Sequence, residues 1–131
     1  MAVLADSSAW ISYFRTSGRN VAADKLEKLV DLEADVVVCG PVLTEVLRGV
    51  REDAQYRKIA RILDSFDYVE ADRQDYRFAA DIYRKCRARG FTVRSPVDCT
   101  IAALSLRHDF EVLHDDRDYD VIAKCFPLRT F

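Results

Sequence analysis

The stretch Ala2-Val3-Leu4-Ala5-Asp6-Ser7-Ser8 decides the fold. Four apolar residues in a row predict a short buried strand, Ala2–Ala5, which stops at Asp6. Ser7 and Ser8 then lead into an aromatic helix, Ala9–Phe14. The rest of the chain repeats this alternation. Val36–Cys39 is β-branched and uncharged and predicts a second buried strand. Gly40-Pro41 breaks it, with Pro41 suited to the first position of a helix over Val42–Val50. Tyr68-Val69 predicts a weak strand, Glu111–His114 another, and Leu128–Phe131 an edge strand.

Between the strands, apolar residues recur at helical spacing over Asn20–Glu33, Gln55–Asp64 and Asp72–Arg89, the last ended by Gly90. Thr16–Arg19 and Phe91–Ser95 read as loops, Asp115–Asp120 as an acidic turn, and Val121–Lys124 as a short helix. Pro96–His108 is apolar nearly all round, which predicts a central helix. Short strands separated by helices pair in parallel through right-handed crossovers. The expected fold class is therefore α/β: a doubly wound parallel sheet of four to five short strands flanked by helices. The 131 residues suit one domain, 1–131, without repeats or linkers.

Composition narrows the function. Half the residues are hydrophobic and 32% are charged, which excludes a disordered chain. No apolar run approaches a membrane span, and the N-terminus lacks the basic flank and apolar stretch of a signal peptide, so a cytoplasmic protein is expected. Cys39, Cys86, Cys99 and Cys125 form no Cys-x-x-Cys pair and read as reduced core thiols. With only His108 and His114 beside them, no zinc spacing exists. The net charge of −2, from 20 Lys+Arg against 22 Asp+Glu, excludes a protein that merely coats nucleic acid.

In open α/β sheets, ligands bind beyond the carboxyl ends of the strands, where strand order reverses. Asp6 ends the first strand there, and Asp115, Asp116 and Asp118 follow the strand Glu111–His114. Glu45 lies one turn into the helix after the second strand, and Asp98 opens the apolar helix. Singly, each has a structural reading: Asp6 and Asp98 as helix caps, the Asp115–Asp118 acids as solvated turn residues, Glu45 as a helix-face charge. One topology nevertheless brings all of them to one end of the sheet. Two carboxylates about 4 Å apart repel by roughly 4 kcal/mol at an effective dielectric of 20, so such a cluster calls for a cation. Mg²⁺ or Mn²⁺ takes all-oxygen ligands of this kind and activates phosphodiesters toward water. Metal-dependent phosphodiester hydrolysis is the leading chemistry, and neither histidine is placed as an obvious general base.

The segments Asp6-Ser7-Ser8-Ala9-Trp10-Ile11, Thr44-Glu45-Val46-Leu47-Arg48-Gly49, Thr92-Val93-Arg94-Ser95 with Asp98-Cys99-Thr100-Ile101-Ala102-Ala103, and His114-Asp115-Asp116-Arg117-Asp118-Tyr119-Asp120 carry a resemblance. In this order and at this length they resemble the PIN-domain ribonucleases, and among them the VapC toxins of type II VapBC toxin–antitoxin pairs. The resemblance places the family's acidic quartet on Asp6, Glu45, Asp98 and Asp116, with Asp118 at a further acidic position. Ser7 or Ser8 matches a hydroxyl position that bonds a ligand or orients a carboxylate. It implies Mg²⁺ or Mn²⁺, endonucleolytic action on structured RNA such as tRNA or rRNA, and a homodimer. A VapB-type antitoxin whose C-terminal segment covers the site is implied as well. His114 departs from the Thr or Ser of many relatives.

Arg84, Lys85, Arg87, Arg89 and Arg94 lie in a segment without acids just before Asp98. They predict an RNA-phosphate track that answers the net negative charge; the alternative is a solvated helix end suited to the dipole. Arg48 and Arg51 form a weaker patch near Glu45. Trp10, Tyr13 and Phe14 read as core plus a partial interface. Two other functions stand beside the nuclease. A Mg-dependent phosphoryl-aspartate or receiver-type domain shares the sheet and the acids. However, position 8 is Ser where a phosphatase wants Asp, and the strand Val36–Cys39 ends in Gly40 where a receiver wants an acceptor Asp. A catalytically silent scaffold whose acids only bind an antitoxin is the non-enzymatic reading.

Overall fold

The computed structural model describes all 131 residues. Four strands form one sheet: β1 Val3–Ala5, β2 Val36–Cys39, β3 Asp67–Val69 and β4 Glu111–Leu113, in the order β3-β2-β1-β4. All neighbours are parallel, with Leu4 opposite Val37 on one side and Val112 on the other. Seven helices connect them: α1 Ser7–Tyr13, α2 Val21–Asp31, α3 Gly40–Leu47, α4 Asp53–Asp64, α5 Arg73–Ala88, α6 Pro96–His108 and α7 Arg117–Ala123.

The chain steps from β1 to β2 to β3 in one direction, then crosses back to β4 on the far side of β1. Right-handed crossovers put α1 to α4 on one face and α5 and α6 on the other. The helix contacts fall into the same two groups, α1 with α2 and α3, and α5 with α6 and α7. Strand order therefore reverses between β1 and β4, the two strands that Asp6 and the Asp115–Asp118 acids follow.

β1 and β2 are buried along their whole length, as uninterrupted apolar runs require in a sheet covered on both faces. β3 is an exposed edge. α6 buries every residue from Asp98 to Ser105, so its all-round apolar pattern does mark a central helix. Helix starts follow capping chemistry. Asn20 caps α2 through the Ala23 N–H, and Asp72 and Asp75 form a reciprocal capping box on α5. Gly90, at φ 87°, ends the α5 segment in the left-handed conformation that glycine supplies without strain. Trp10 is fully enclosed, against Phe14, Tyr13 and Phe66.

Several expectations need correction. The acidic turn Asp115–Asp120 is largely helix: Asp116 caps α7, which begins at Arg117 rather than Val121. An Asp that accepts a backbone N–H two residues on starts a helix where bare composition reads as a turn. Leu128–Phe131 is no strand; it makes one parallel bridge, Thr130 to Val112, beside β4. α3 begins at Gly40, with Pro41 second. Cys39, Cys86 and Cys99 are buried free thiols, whereas Cys125 is half-buried. No helix is long and apolar enough to cross a membrane.

Candidate active site at the carboxyl edge of the sheet

The backbone carries Asp6 straight off β1 into the cap of α1, where it is 2% exposed. Both of its oxygens are engaged. Oδ2 accepts from the Ser8 N–H at 3.3 Å and the Ser8 hydroxyl at 2.8 Å. Oδ1 accepts from the Tyr119 hydroxyl at 2.9 Å. The Ser8 hydroxyl in turn accepts from the Asp115 N–H at 2.9 Å, which stitches the loop after β4 to the start of α1. Asn20 reinforces the junction by donating to the Asp115 carboxylate and the Ser8 carbonyl.

Ser7 serves a different acid. Its hydroxyl donates to Glu45 Oε1 at 3.0 Å, so the two adjacent serines hold Glu45 and Asp6 respectively. Glu45 is half-buried on α3.

Asp98 sits in the first turn of α6 and is 4% exposed. Its Oδ1 lies 3.2 Å from the Tyr119 hydroxyl, while its buried Oδ2 has no partner in the protein. Asp116 Oδ1 accepts from the Asp118 N–H at 2.9 Å. Asp118 is itself buried; its Oδ2 accepts from the Ser95 N–H at 3.1 Å, and its Oδ1 lies 3.6 Å from Arg94 Nε. One oxygen each from Asp98, Asp116 and Asp118 fall within 4.8 Å of one another.

The electrostatics follow from this crowding. Burial, then the charge of Asp6 and the nearness of Asp118 and Asp116, raise the Asp98 carboxyl from 3.8 to about 9. Burial, then Asp6 and Asp98, hold the Tyr119 phenol well above its ordinary range. A phenol carries one hydrogen, yet this one bridges two carboxyl groups. The single phenolic hydrogen therefore serves both Asp6 Oδ1, at 2.9 Å, and Asp98 Oδ1, at 3.2 Å. Cys39, at the end of β2, is pushed up to about 12, chiefly by burial with the charges of Asp6 and Glu45 adding, and is no nucleophile.

The residues present fit a hard divalent cation. Three carboxylates converge, the donors are all oxygen, and one buried carboxylate oxygen is unpartnered, a state that costs free energy unless a cation or water satisfies it. The structure joins Asp6 to this group through Tyr119, and Glu45 to the Asp6 corner through the neighbouring Ser7.

The basic segment is less concentrated. Arg94 reaches Asp118, and Arg94 and Arg84 line a cavity of about 750 Å³ together with Tyr76, Tyr83 and Thr100. Arg87 donates to the Tyr83 hydroxyl, Arg89 to the Lys124 carbonyl, and Lys85 is exposed. Nothing local in the sequence assigns a role to Tyr119. The available signal was a polar atom on an otherwise core-facing position beside Ile122, since a buried phenol needs a partner.

Comparison with known proteins follows the same lines. The family model described as the PIN domain matches residues 3–124. Ribonuclease VapC11 of Mycobacterium tuberculosis is 40% identical over 130 residues, covering 98% of this chain and 96% of its own. Among solved structures, VapBC2 of Rickettsia felis, bound to a DNA fragment from its promoter, superposes with a TM-score of 0.76 at 12% identity, covering 100% of this chain and 98% of that one. FitAcB of Neisseria gonorrhoeae gives 0.76 at 16% identity, covering 98% and 96%.

Proposed function

This chain belongs to the PIN-domain family, among the VapC ribonucleases, and from that premise we propose that its carboxylate pocket hydrolyses RNA phosphodiester bonds. It is an RNA-cleaving hydrolase, the toxin of a VapBC pair. The observation that carries the chemistry is the convergence of Asp98, Asp116 and Asp118, together with the buried Asp98 Oδ2 that no protein group satisfies.

In this reading residues 1–131 are one PIN domain. Asp6, Glu45, Asp98 and Asp116 are the catalytic acids, and Asp98, Asp116 and Asp118, with Asp6 and Glu45 beside them, hold Mg²⁺ or Mn²⁺. The bound ion supplies polarisation of the scissile phosphate and a lowered pKa for the attacking water. The chain's own residues then orient and hold. Ser8 fixes Asp6, and Ser7 fixes Glu45 at the edge of the pocket, where a carboxylate is suited to orient water. The Ser95 N–H fixes Asp118. Arg84, Lys85, Arg87, Arg89 and Arg94 bind RNA phosphates; Arg94, in reach of Asp118, lies closest to the acids.

The VapB-type antitoxin is the partner protein. A cavity of about 320 Å³ lined by Ile11, Phe14, Val46, Val50 and Ile59 opens beside Glu45 and suits an apolar segment followed by a basic residue among the acids. The toxin acts on structured RNA such as tRNA or rRNA, in the cytoplasm, as a homodimer. The test is cleavage of total RNA by the antitoxin-free protein. Fragments should form with Mg²⁺, vanish with EDTA, and be lost in Asp6→Asn. Absence of cleavage in a metal-binding wild type would leave the silent, antitoxin-binding scaffold.

A further inference from the structure

Tyr119 is wholly enclosed in the core, yet apolar packing alone asks for no hydroxyl there, since Phe has nearly the same shape. A buried phenol must find a partner. The partners this one finds are two carboxylates from separate elements: Asp6, 113 residues away at the end of β1, and Asp98, 21 residues away at the start of α6. The helix that carries Tyr119 also carries the other acids of the group, with Asp116 as its cap and Asp118 in its first turn. One hydroxyl therefore ties the helix that Asp116 caps and that carries Asp118 to Asp6 at the end of β1 and Asp98 at the start of α6.

The remaining contacts each hold a single acid. Ser8 holds Asp6, Ser7 holds Glu45, and the Ser95 N–H holds Asp118. Tyr119 is the one hydrogen-bond donor to Asp98: it takes Oδ1, Oδ2 is left without a partner, and the neighbouring carboxyl is Asp118. Tyr119 is thus the hydrogen-bond donor placed to orient the Asp98 carboxyl.

We propose that Tyr119 is a positioning residue for the cation: its hydroxyl fixes the Asp98 carboxyl so that Oδ2 is presented with the Asp116 and Asp118 oxygens, and keeps Asp6 in register with them. The assignment rests on the metal-centre reading above. Outer-shell hydrogen bonds of this type typically change metal affinity by about 10- to 100-fold when removed.

The experiment is calorimetric titration of Mn²⁺ into the wild type and Tyr119→Phe, with thermal unfolding recorded with and without Mn²⁺. Ser105→Ala is the control. It loses a buried hydroxyl that bonds the Ile101 carbonyl inside α6 and touches none of the acids. Tyr119→Phe should raise the Mn²⁺ Kd by about 10- to 100-fold, and its Tm deficit should widen when Mn²⁺ is added, because the wild type gains more from the ligand. Ser105→Ala should keep the wild-type Kd and show the same deficit in both conditions. A Tyr119→Phe Kd within about twofold of wild type, with a deficit that Mn²⁺ does not change, would reduce Tyr119 to packing and overturn the assignment. A wild type that fails to bind Mn²⁺ would overturn the metal centre, and the assignment with it.

Discussion

Ser7 and Glu45, 38 residues apart in the chain, are joined by a 3.0 Å hydrogen bond from Oγ to Oε1. It links the first residue of α1 to α3 and holds one of the two acids of the quartet, with Asp116, that are only half-buried. Ser7→Ala should lower the RNA cleavage rate by about 10-fold through a looser Glu45. Stability should change by less than about 1 kcal/mol, because water can replace the hydroxyl at a half-exposed carboxylate. Single-turnover kinetics beside a urea melt separates the two effects.

Ser8 predicts the opposite balance. Its hydroxyl donates to the buried Asp6 and accepts from the Asp115 N–H, so its loss strands groups on two elements. Ser8→Ala should lower the unfolding free energy by about 1–3 kcal/mol, read from the midpoint of a urea transition with unchanged slope.

The pH dependence has a definite sign. Asp98 is raised from 3.8 to about 9 in the folded protein. Between those values the folded state binds the extra proton, so the contribution of Asp98 to metal-free stability is fully present below the unfolded value and is lost as pH rises toward about 9. Tm of the metal-free protein should drop across this window, and saturating Mn²⁺ should flatten the drop. Asp98→Asn should remove the pH slope, raise Tm at about pH 8 and abolish cleavage, since it discards both the repulsion and the ligand. A metal-free Tm that climbs from about pH 5 to 8 would contradict the buried, crowded state of Asp98.

RNA binding should weaken with salt by about 0.7 per neutralised phosphate in log–log slope. Replacing Arg87 and Arg89 together by Ala should therefore flatten the slope by about 1.4, measured by fluorescence anisotropy on a single-stranded RNA with a cleavage-dead Asp6→Asn background. An unchanged slope would return both residues to the bland role that their bonds to Tyr83 and Lys124 also describe.

The arrangement of the acids was legible because it follows from local rules. An apolar strand ending in Asp6, another followed by Asp115 to Asp118, and an apolar helix opening on Asp98 need only a parallel sheet to converge. The start of α7 was not legible. Asp-Asp-Arg-Asp has the composition of a solvated turn, and only the bond from the Asp118 N–H to the Asp116 carboxylate turns it into a helix start. Tyr119 was hidden for another reason. Its partners lie on β1 and α6, and no periodicity within α7 announces a contact 113 residues away. The strand expected over Leu128–Phe131 shrinks to one bridge, a loss at an edge where tertiary context overrides propensity.

Anomalous X-ray diffraction from crystals grown with Mn²⁺ tests the central claim most directly. A peak should appear about 2.1 Å from Asp98 Oδ2, with oxygens of Asp116 and Asp118 completing the protein's share of an octahedral shell. A peak elsewhere on the molecule, or none at saturating Mn²⁺, would contradict it.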